Sequence, residues 1–265
     1  MLNTTRGKDI AVLYEKVKPK KDKKGKEKQT KDKNIKTYKL FDDNFTEKNP
    51  EKVVELDIHD DSKYFFPLPQ KHSERIYISA PSGAGKSTFI GKYLGELRKV
   101  KGKKRPIFIF SRVENDEPLD IYKPIRIPLD RKIFDEEPLK PEDFRDCILI
   151  FDDIDTLIDK PLLKYLQHFR DDLLECGRHY GITTISTTHQ ILNFTETRKL
   201  LNEATAIIIF PKATGNYQLR SFLERYMGFD KEQIEHIKQL PSRWLYLSKD
   251  YPLYMIYEKG IIVNS

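Results

Sequence analysis

One stretch between residues 75 and 100 places the strongest constraint on the fold of this chain. It joins a short apolar segment, RIYIS, to a loop of small residues, APSGAG, and then to KSTFIGKYLGELRKV, whose apolar residues recur at helical spacing. A strand, a glycine-containing loop and a helix in this order bring several backbone N–H groups together at a helix N-terminus, where they bind anions. The stretch therefore predicts an α/β domain with an anion-binding loop.

Residues 80–87 match the phosphate-loop pattern GxxxxGK[ST], except that Ala80 replaces the first glycine. The pattern tolerates this change because the first position only needs to be small. We expect Lys86 to reach the β and γ phosphates of ATP, and the Ser87 hydroxyl to bind Mg²⁺. The predicted nucleotide contacts are Ser82, Gly83, Ala84, Gly85, Lys86, Ser87 and Thr88.

Further apolar strands alternate with helical patterns along the rest of the chain. The predicted strands are PIFIFS (106–111), CILIFDD (147–153), ITTIST (182–187) and ATAIIIF (204–210), and residues 161–177 form a predicted helix that ends at Gly177. Because each strand is apolar on both faces, we expect a mainly parallel central sheet with helices on both sides. The last segments, RWLYLS and PLYMIYE, predict a C-terminal antiparallel hairpin.

Charge divides the chain unevenly. Residues 1–36 hold thirteen Lys and Arg against five Asp and Glu, a net of +8, so the remaining residues carry −1 of the total +7. We expect residues 1–45 to be a Lys-rich disordered tail, 46–74 an N-terminal extension or linker, and 75–265 the ATPase domain. Such a tail can bind nucleic acid through its phosphates or serve as a solubilising or targeting arm, and the sequence leaves both open.

Composition argues against two other classes of protein. No apolar run approaches the roughly 18 residues of a membrane-spanning helix, and the N-terminus has no apolar signal core. We therefore expect no membrane span and no secretion. The two cysteines, Cys147 and Cys176, are too few for a disulfide framework and too far apart for a CxxC motif. They are typical of thiols in a reducing compartment.

An acidic pair ends the strand ILIFDD. Asp152 is expected to hold Mg²⁺ through a water, because an apolar strand that ends in an acid is the usual second half of a phosphate-loop site. Asp153 follows directly, and a second carboxylate at this place can orient or deprotonate an attacking water. Nucleotide kinases have little use for such a residue, so the pair favours a hydrolase. A turn acid or a helix cap is the alternative for Asp153.

Polar residues also end the strand ITTIST. Gln190 is expected to reach a γ-phosphate or the attacking water, from a strand that lies between the phosphate-loop strand and the acidic strand. The simplest interpretation of the preceding residues is that they only begin a loop; these are Thr187, Thr188 and His189.

The segments IYISAPSGAGKSTFI, CILIFDDID, GRHYGITTISTTHQ and AIIIFPK, in this order, resemble the genome-packaging ATPases of large double-stranded DNA viruses. These are the poxvirus-type members of the FtsK–HerA superfamily. The resemblance covers about residues 75–215 and implies an ASCE-type P-loop ATPase fold. It also implies a motor that pumps duplex DNA into a preformed capsid.

Site residues carry over one by one from this resemblance. Lys86 and Ser87 match the phosphate and Mg²⁺ contacts, Asp152 the magnesium acid, Asp153 the catalytic acid and Gln190 the polar sensor. Related motors often have glutamate where Asp153 stands, so Asp153 must lie closer to the water. Ring motors also need a cation supplied by the neighbouring subunit. Arg178 is our candidate for this cation, the trans-acting arginine finger. Alternatively, Arg178 only interacts favourably with the dipole at the C-terminus of its helix. Arg220 and Arg112 are the next candidates for the finger.

The resemblance also implies the partners. These are double-stranded DNA bound without sequence specificity, other copies of the chain in a ring of five or six subunits, and a capsid portal or vertex protein. The expected location is intracellular, in the host cytoplasm, a viral factory or the virion. The basic loop RKVKGKKR (98–105) either lines a ring channel or is a solvated turn, and we favour the turn because it lies at the sheet edge opposite the nucleotide.

Three other functions remain open at this point. A helicase-loader-like or partitioning ATPase would share every motif named above. A nucleotide kinase would share the phosphate loop, but the arginine-rich lid and the base-recognising acidic motif of a kinase are not found. A non-catalytic DNA-binding protein would use the nucleotide as a switch, and Asp153 and Gln190 argue against it.

Overall fold

The computed structural model describes residues 2–4, 7–17, 31–40, 54–101, 105–131, 138–193, 196–250 and 253–264. The strands in these ranges are β1 (Leu2–Asn3), β2 (Lys8–Glu15), β3 (Lys33–Leu40), β4 (Val54–Asp57), β5 (Lys63–Pro67), β6 (Arg75–Ser79), β7 (Ile107–Ser111), β8 (Ile125–Arg126), β9 (Ile148–Asp152), β10 (Thr183–Thr188), β11 (Ala206–Ile209), β12 (Leu245–Ser248), β13 (Leu253–Tyr257) and β14 (Gly260–Asn264). The α-helices are α1 (Lys86–Lys101), α2 (Glu117–Asp120), α3 (Lys160–Cys176), α4 (Arg198–Glu203), α5 (Asn216–Met227) and α6 (Lys231–Gln239). Short 3₁₀ helices lie at Pro141–Phe144, Ile154–Thr156 and Gly177–Tyr180.

The large sheet contains ten strands in the order β4-β14-β13-β12-β11-β6-β10-β9-β7-β8. The strands from β11 to β8 pair in parallel, and those from β11 back to β4 pair antiparallel. This confirms the predicted α/β class with a mainly parallel sheet and a C-terminal hairpin, to which β14 and β4 add two further strands. As predicted, β10 lies between the phosphate-loop strand β6 and the acidic strand β9.

Helices cover both faces of this sheet because its parallel strands are apolar on both sides. Ile76 and Ile78 of β6 pack in one cluster with Phe89 and Ile90 of α1, whereas Tyr77 packs in a second cluster with residues of α4, α5 and α6. The opposite orientation of successive side chains follows from the two-residue period of a strand. Burying each of these side chains contributes about 1.5–3 kcal/mol.

Helix α3 has clear local reasons for its bounds. The Asp159 carboxylate caps it by accepting a hydrogen bond from the Leu162 N–H at 3.2 Å, and Pro161 occupies the first turn, where its missing N–H costs nothing. Leu166 and Leu173, on the face toward the sheet, are fully or almost fully buried. The helix ends at Cys176 and is followed by Gly177, close to the predicted end.

The expectation of a disordered tail at residues 1–45 is wrong for β2 and β3. These strands belong to a second, four-stranded sheet in the order β1-β3-β2-β5. Ile10, Ala11 and Val12 are completely buried in it, so the apolar run within KDIAVLYE outweighs the surrounding lysines. The described lysines of β3 are exposed or only half-buried. Residues 1, 5–6, 18–30 and 41–45 of the predicted tail lie outside the described residues.

Residues 46–74, predicted to be an extension or linker, supply strands to both sheets. Strand β4 pairs with β14 at the edge of the large sheet, and β5 pairs with β2. The segment FFPLPQ contains two prolines, and its first three residues end β5. Pro67 is tolerated there because it is the last residue of the strand. The division of the chain at residue 75 stays a prediction.

The two sheets enclose helix α1 between them. Residues of β2 and β5, including Val12 and Phe65, share one apolar cluster with Tyr93 and Leu94 of α1. The N-terminal sheet therefore lies over the helix that starts at the phosphate loop. Both cysteines are free thiols, and no helix within the described ranges is long and apolar enough to cross a membrane.

Candidate functional site

The phosphate loop connects the end of β6 to the start of α1. Gly83 and Gly85 have φ values of +76° and +108°, which residues with a Cβ rarely adopt. Ala80, at the position of the usual first glycine, is 1% exposed, and its carbonyl accepts a hydrogen bond from the Lys86 ammonium at 2.8 Å. Left-handed glycines of this kind are typical of an anion-binding nest.

Asp152 ends β9 and is fixed by two hydroxyl groups. Ser111 Oγ, at the end of β7, donates to Asp152 Oδ2 at 2.8 Å, and Thr187 Oγ1 of β10 lies 3.0 Å from Asp152 Oδ1. Burial raises the pKa of the Asp152 carboxyl, and the neighbouring charge of Asp153 acts in the same direction. Cations that enter this site would therefore stabilise the ionised carboxylate.

Asp153 turns back toward the phosphate loop because its backbone is left-handed, with φ 47° and ψ 38°. Its Oδ2 lies 3.0 Å from Lys86 Nζ and 3.3 Å from His189 Nε2. Thr187 Oγ1 accepts a hydrogen bond from the Asp153 N–H at 2.9 Å and lies 2.8 Å from Asp153 Oδ1. The Thr187 hydroxyl thus lies between both carboxylates and can donate to one of them at a time.

The structure brings Lys86, Ser87, Asp152 and Asp153 together around one cavity of about 380 Å³. The predicted contacts Ser82, Gly83, Gly85 and Thr88 line it as well, and Val113, Asp116 and Pro118 close the opposite side. Ala84 faces a neighbouring cavity instead. The lining combines loop amides and an ammonium, which fit phosphates, with the hydroxyl and carboxylate oxygens of Ser87 and Asp152, which fit Mg²⁺.

Gln190 is not among the residues around this cavity. It is exposed, and its backbone carbonyl accepts hydrogen bonds from Tyr77 Oη at 3.1 Å and Thr188 Oγ1 at 2.9 Å. His189 instead contacts Asp153. The sensor role of Gln190 stays a prediction, and the geometry makes His189 a second candidate.

Arg178 lies in the 3₁₀ helix that precedes β10, at the amino edge of the parallel strands. The phosphate loop lies at their carboxyl edge, where Ser79 pairs with Thr188. Arg178 is exposed, and its side chain makes no hydrogen bond or ion pair with the residues that the structure describes. It cannot reach the phosphate loop of its own subunit, so its assignment as a trans-acting finger stays a prediction.

The basic loop at residues 98–105 does not end as a solvated turn. Arg105 is 7% exposed, and its guanidinium donates to the carbonyls of His72 at 2.9 Å and Cys147 at 2.5 Å and to Thr183 Oγ1 at 3.0 Å. Arg105 therefore joins the chain segments at the amino edge of the sheet. Residues 102–104 lie outside the described residues.

Two side chains of the candidate site carried only weak signals in the sequence. Ser111 is the last residue of the predicted strand PIFIFS, and only the parallel pairing of β7 with β9 places it beside Asp152. His189 was interpreted as an ordinary loop residue because a lone histidine after a strand has no distinctive spacing. A polar residue at the carboxyl end of each predicted strand is the signal that could have identified both.

No protein-family model matches the chain. The chain is 38% identical over 199 residues to the Uncharacterized protein V3 of Sputnik virophage, covering 74% of this chain and 80% of that protein.

Among solved structures, the genome packaging NTPase B204 from Sulfolobus turreted icosahedral virus 2 in complex with AMPPCP matches with 20% identity and a TM-score of 0.46, over 68% of this chain and 94% of that one. The pCW3 conjugation coupling protein TcpA matches with 13% identity and a TM-score of 0.46, over 97% of this chain and 87% of that one. On the identity and coverage shared with the virophage protein, this chain belongs to the family of Sputnik virophage protein V3.

Proposed function

We propose that the chain is an ATP-hydrolysing, DNA-translocating motor that packages a double-stranded DNA genome into a viral capsid. The observation that carries the hydrolytic part is the position of Asp153, whose carboxylate contacts Lys86 across the phosphate cavity. A carboxylate beside the lysine that binds the β and γ phosphates lies where a water that attacks the γ-phosphate must be activated.

The residues of the site divide the work of hydrolysis among them. The loop amides and Lys86 bind and orient the phosphates, and Ser87 and Asp152 would hold Mg²⁺, which neutralises charge on the β and γ oxygens. Asp153 accepts the proton of the attacking water at its carboxylate. His189 and Gln190 are the candidates for sensing the γ-phosphate, since His189 contacts Asp153 and Gln190 is the residue after His189.

The viral and DNA-directed part of the proposal rests on two supports. One is the resemblance of four ordered segments to viral genome-packaging ATPases. The other is the membership of the chain in a family with a virophage protein. The partners would be duplex DNA, further copies of the chain in a ring of five or six subunits, and a capsid portal or vertex protein. An intracellular site of action, in the host cytoplasm or a viral factory, accords with this role.

The decisive experiment is ATP turnover with and without long duplex DNA, at several protein concentrations. We expect DNA to stimulate turnover, and specific activity to rise steeply with protein concentration because each site needs a neighbouring subunit. DNA affinity should fall steeply with salt, since the expected contacts are with phosphates. Turnover indifferent to DNA and to protein concentration would contradict the motor and leave a nucleotide-binding protein.

A further inference from the structure

A second and larger cavity lies directly beside the phosphate cavity. It measures about 600 Å³, which is within the range of small-molecule sites. Gly85 and Thr88 line both cavities, so the junction of the phosphate loop with α1 is their common wall. A ligand that occupies the phosphate cavity can therefore extend into the second one without leaving the protein surface.

The direction of a bound triphosphate follows from the charged groups of the phosphate cavity. Lys86 reaches the β and γ phosphates of a nucleotide in such loops, and it is paired here with Asp153. Asp153 lines only the phosphate cavity, whereas Thr88 lines both. A triphosphate whose γ end lies at Asp153 thus points its α end toward the larger cavity. The group attached to the α-phosphate is the nucleoside.

Aromatic rings form the floor of the larger cavity. The Trp244 ring lies edge-on to Phe66 and Phe89, with ring centroids 5.6 and 5.2 Å away. Phe210 adds a fourth ring next to Gly85. A Cβ atom placed on Gly85 would lie 3.7 Å from the Phe210 ring. An apolar floor of this kind suits the flat face of a nucleobase. Every base has such a face, so stacking on aromatic side chains does not depend on which polar groups the base carries at its edges.

The rim of the cavity is charged and held in place. The Arg243 guanidinium is 76% exposed and donates from Nε and Nη2 to Glu258 Oε1 at 3.2 and 3.0 Å. The Arg243 N–H also donates to Glu258 Oε2 at 2.8 Å. A planar cation fixed by its own carboxylate can cover a nucleobase and follow its plane.

The N-terminal sheet supplies the remaining wall. Tyr64 and Phe66 of β5 line the cavity together with Lys92 of α1. The Lys92 ammonium lies 3.7 Å from the ring centre of Tyr64 and 4.6 Å from that of Phe66, and it donates a hydrogen bond to Tyr64 Oη. These contacts join the sheet to the helix that starts at the phosphate loop.

We propose that this cavity is the nucleoside subsite, which takes the ribose and the base of the bound triphosphate, and that the N-terminal sheet completes it. This inference rests on the proposed function, because it needs the phosphate loop to bind a nucleotide. It gives the N-terminal segment, which lies outside the packaging-ATPase resemblance, a role in nucleotide binding.

Photolabelling of the full chain with 8-azido-ATP tests the position of the base. Label should appear on peptides that carry Tyr64, Arg243 or Glu258, and excess ATP should prevent it. A third cavity of about 360 Å³ offers the competing location, lined by Pro81, His189 and residues 214–218. Label confined to that cavity would overturn the proposal.

Binding of ATP and of inorganic tripolyphosphate separates this proposal from the proposed function. Trp244 is the single tryptophan of the chain, so its emission should change with ATP and much less with tripolyphosphate. Arg243→Ala should weaken ATP binding about tenfold and leave tripolyphosphate binding unchanged, whereas Arg225→Ala, at an exposed position outside the cavity, should change neither.

Each outcome of this binding experiment decides one of the two claims. If tripolyphosphate binds but ATP binds no better, and Arg243→Ala has no effect, the nucleoside subsite is wrong and the phosphate site stands. If neither ligand binds, or if Lys86→Ala binds both as well as the wild type does, the phosphate site fails and the subsite fails with it.

Discussion

Lys86 and Asp153 form an ion pair of 3.0 Å across the phosphate cavity, which joins the first residue of α1 to the residue that follows β9. The pair neutralises the two charges while the Lys86 ammonium also donates to the Ala80 carbonyl. A γ-phosphate competes with Asp153 for the same ammonium. We expect this competition to release Asp153 toward the attacking water when ATP binds.

The first prediction concerns Asp153→Asn. Asparagine tolerates the left-handed backbone found at this position, so the loop should keep its conformation. We expect hydrolysis to fall about 10²- to 10⁴-fold, as for the loss of a general base. ATP affinity should be kept or increased, because a charge that repels the γ-phosphate is removed. Steady-state turnover and nucleotide titration measure the two effects.

Asp172→Asn is the matched control, since Asp172 is exposed on α3. This substitution should leave both turnover and ATP affinity unchanged. Turnover of Asp153→Asn close to that of the wild type would remove Asp153 from catalysis and leave it as a turn residue.

The second prediction concerns the Thr187 hydroxyl, which accepts the Asp153 N–H and contacts both carboxylates. Thr187→Val keeps the shape but leaves that N–H without its acceptor, which costs about 1–3 kcal/mol when such a group is buried. We expect unfolding free energy to fall by this amount and hydrolysis to fall with it. Thr187→Ser retains a hydroxyl and should retain most of both.

Chemical denaturation and turnover of the two variants check this prediction together. Equal behaviour of the valine and serine variants would show that the hydroxyl does not organise the carboxylates.

The third prediction compares His189 with Gln190. His189 Nε2 lies 3.3 Å from Asp153 Oδ2, whereas Gln190 is exposed and contacts its neighbours through its backbone carbonyl. We expect His189→Ala to lower hydrolysis by about tenfold or more, the effect of losing a polar group that faces developing charge. Gln190→Ala should have the smaller effect. The reverse ranking, measured at saturating ATP, would support Gln190 as the sensor that the resemblance implies.

The fourth prediction is a pH dependence of stability at Lys92. Burial lowers the pKa of its amino group from 10.5 to about 7. Between pH 7 and 10.5 the unfolded chain therefore binds a proton that the folded chain does not, so this residue makes stability rise with pH in that window, by at most about 1.4 kcal/mol per pH unit. Lys92→Met removes this contribution. Its stability relative to the wild type should fall as pH is raised from 7 to 8.5.

Denaturation at pH 7.0, 7.75 and 8.5 measures this difference, and groups common to both proteins cancel. Lys164→Met, at an exposed position on α3, should follow the wild type at every pH. If the Lys92→Met and wild-type profiles run parallel, Lys92 does not lose its proton in this range.

Local pattern was sufficient for the parallel sheet and for most of the phosphate site. The strand RIYIS, the loop and the helix were predicted within one residue of their observed bounds, because an apolar run followed by glycines and a helical period has few alternative structures. Asp152 and Asp153 were placed correctly at the cavity because they end a strand, and parallel strands end at one edge.

Long-range pairing explains what the sequence patterns missed. The strand Lys8–Glu15 was assigned to a disordered tail because lysines dominate its surroundings. It nevertheless pairs with Lys63–Pro67, and its Ile10 and Val12 are completely buried in the apolar cluster that includes α1. His189 reaches Asp153 only because β10 lies next to β9. Neither relationship is encoded in the spacing of the residues along the chain.

The last prediction tests whether Arg178 acts across a subunit interface. Arg178 precedes β10 at the amino edge of the sheet, while the phosphate loop lies at the carboxyl edge, so it can serve only a neighbouring site. Arg178→Ala and Asp153→Asn should each be inactive alone. In a mixture, a site is intact where the Arg178→Ala subunit supplies Asp153 and its Asp153→Asn neighbour supplies Arg178. Random assembly of equal amounts makes about a quarter of all interfaces intact in this way.

We therefore expect the equal mixture to recover a measurable part of wild-type, DNA-stimulated turnover. A mixture of Asp153→Asn with Lys86→Ala is the control, because both changes damage the same half of the site and no interface is restored. Recovery in the control as well would point to exchange unrelated to the interface. If differently tagged subunits assemble together yet the first mixture stays inactive, Arg178 is not the trans-acting cation, and the exposed Arg112 and Arg220 are next to be substituted.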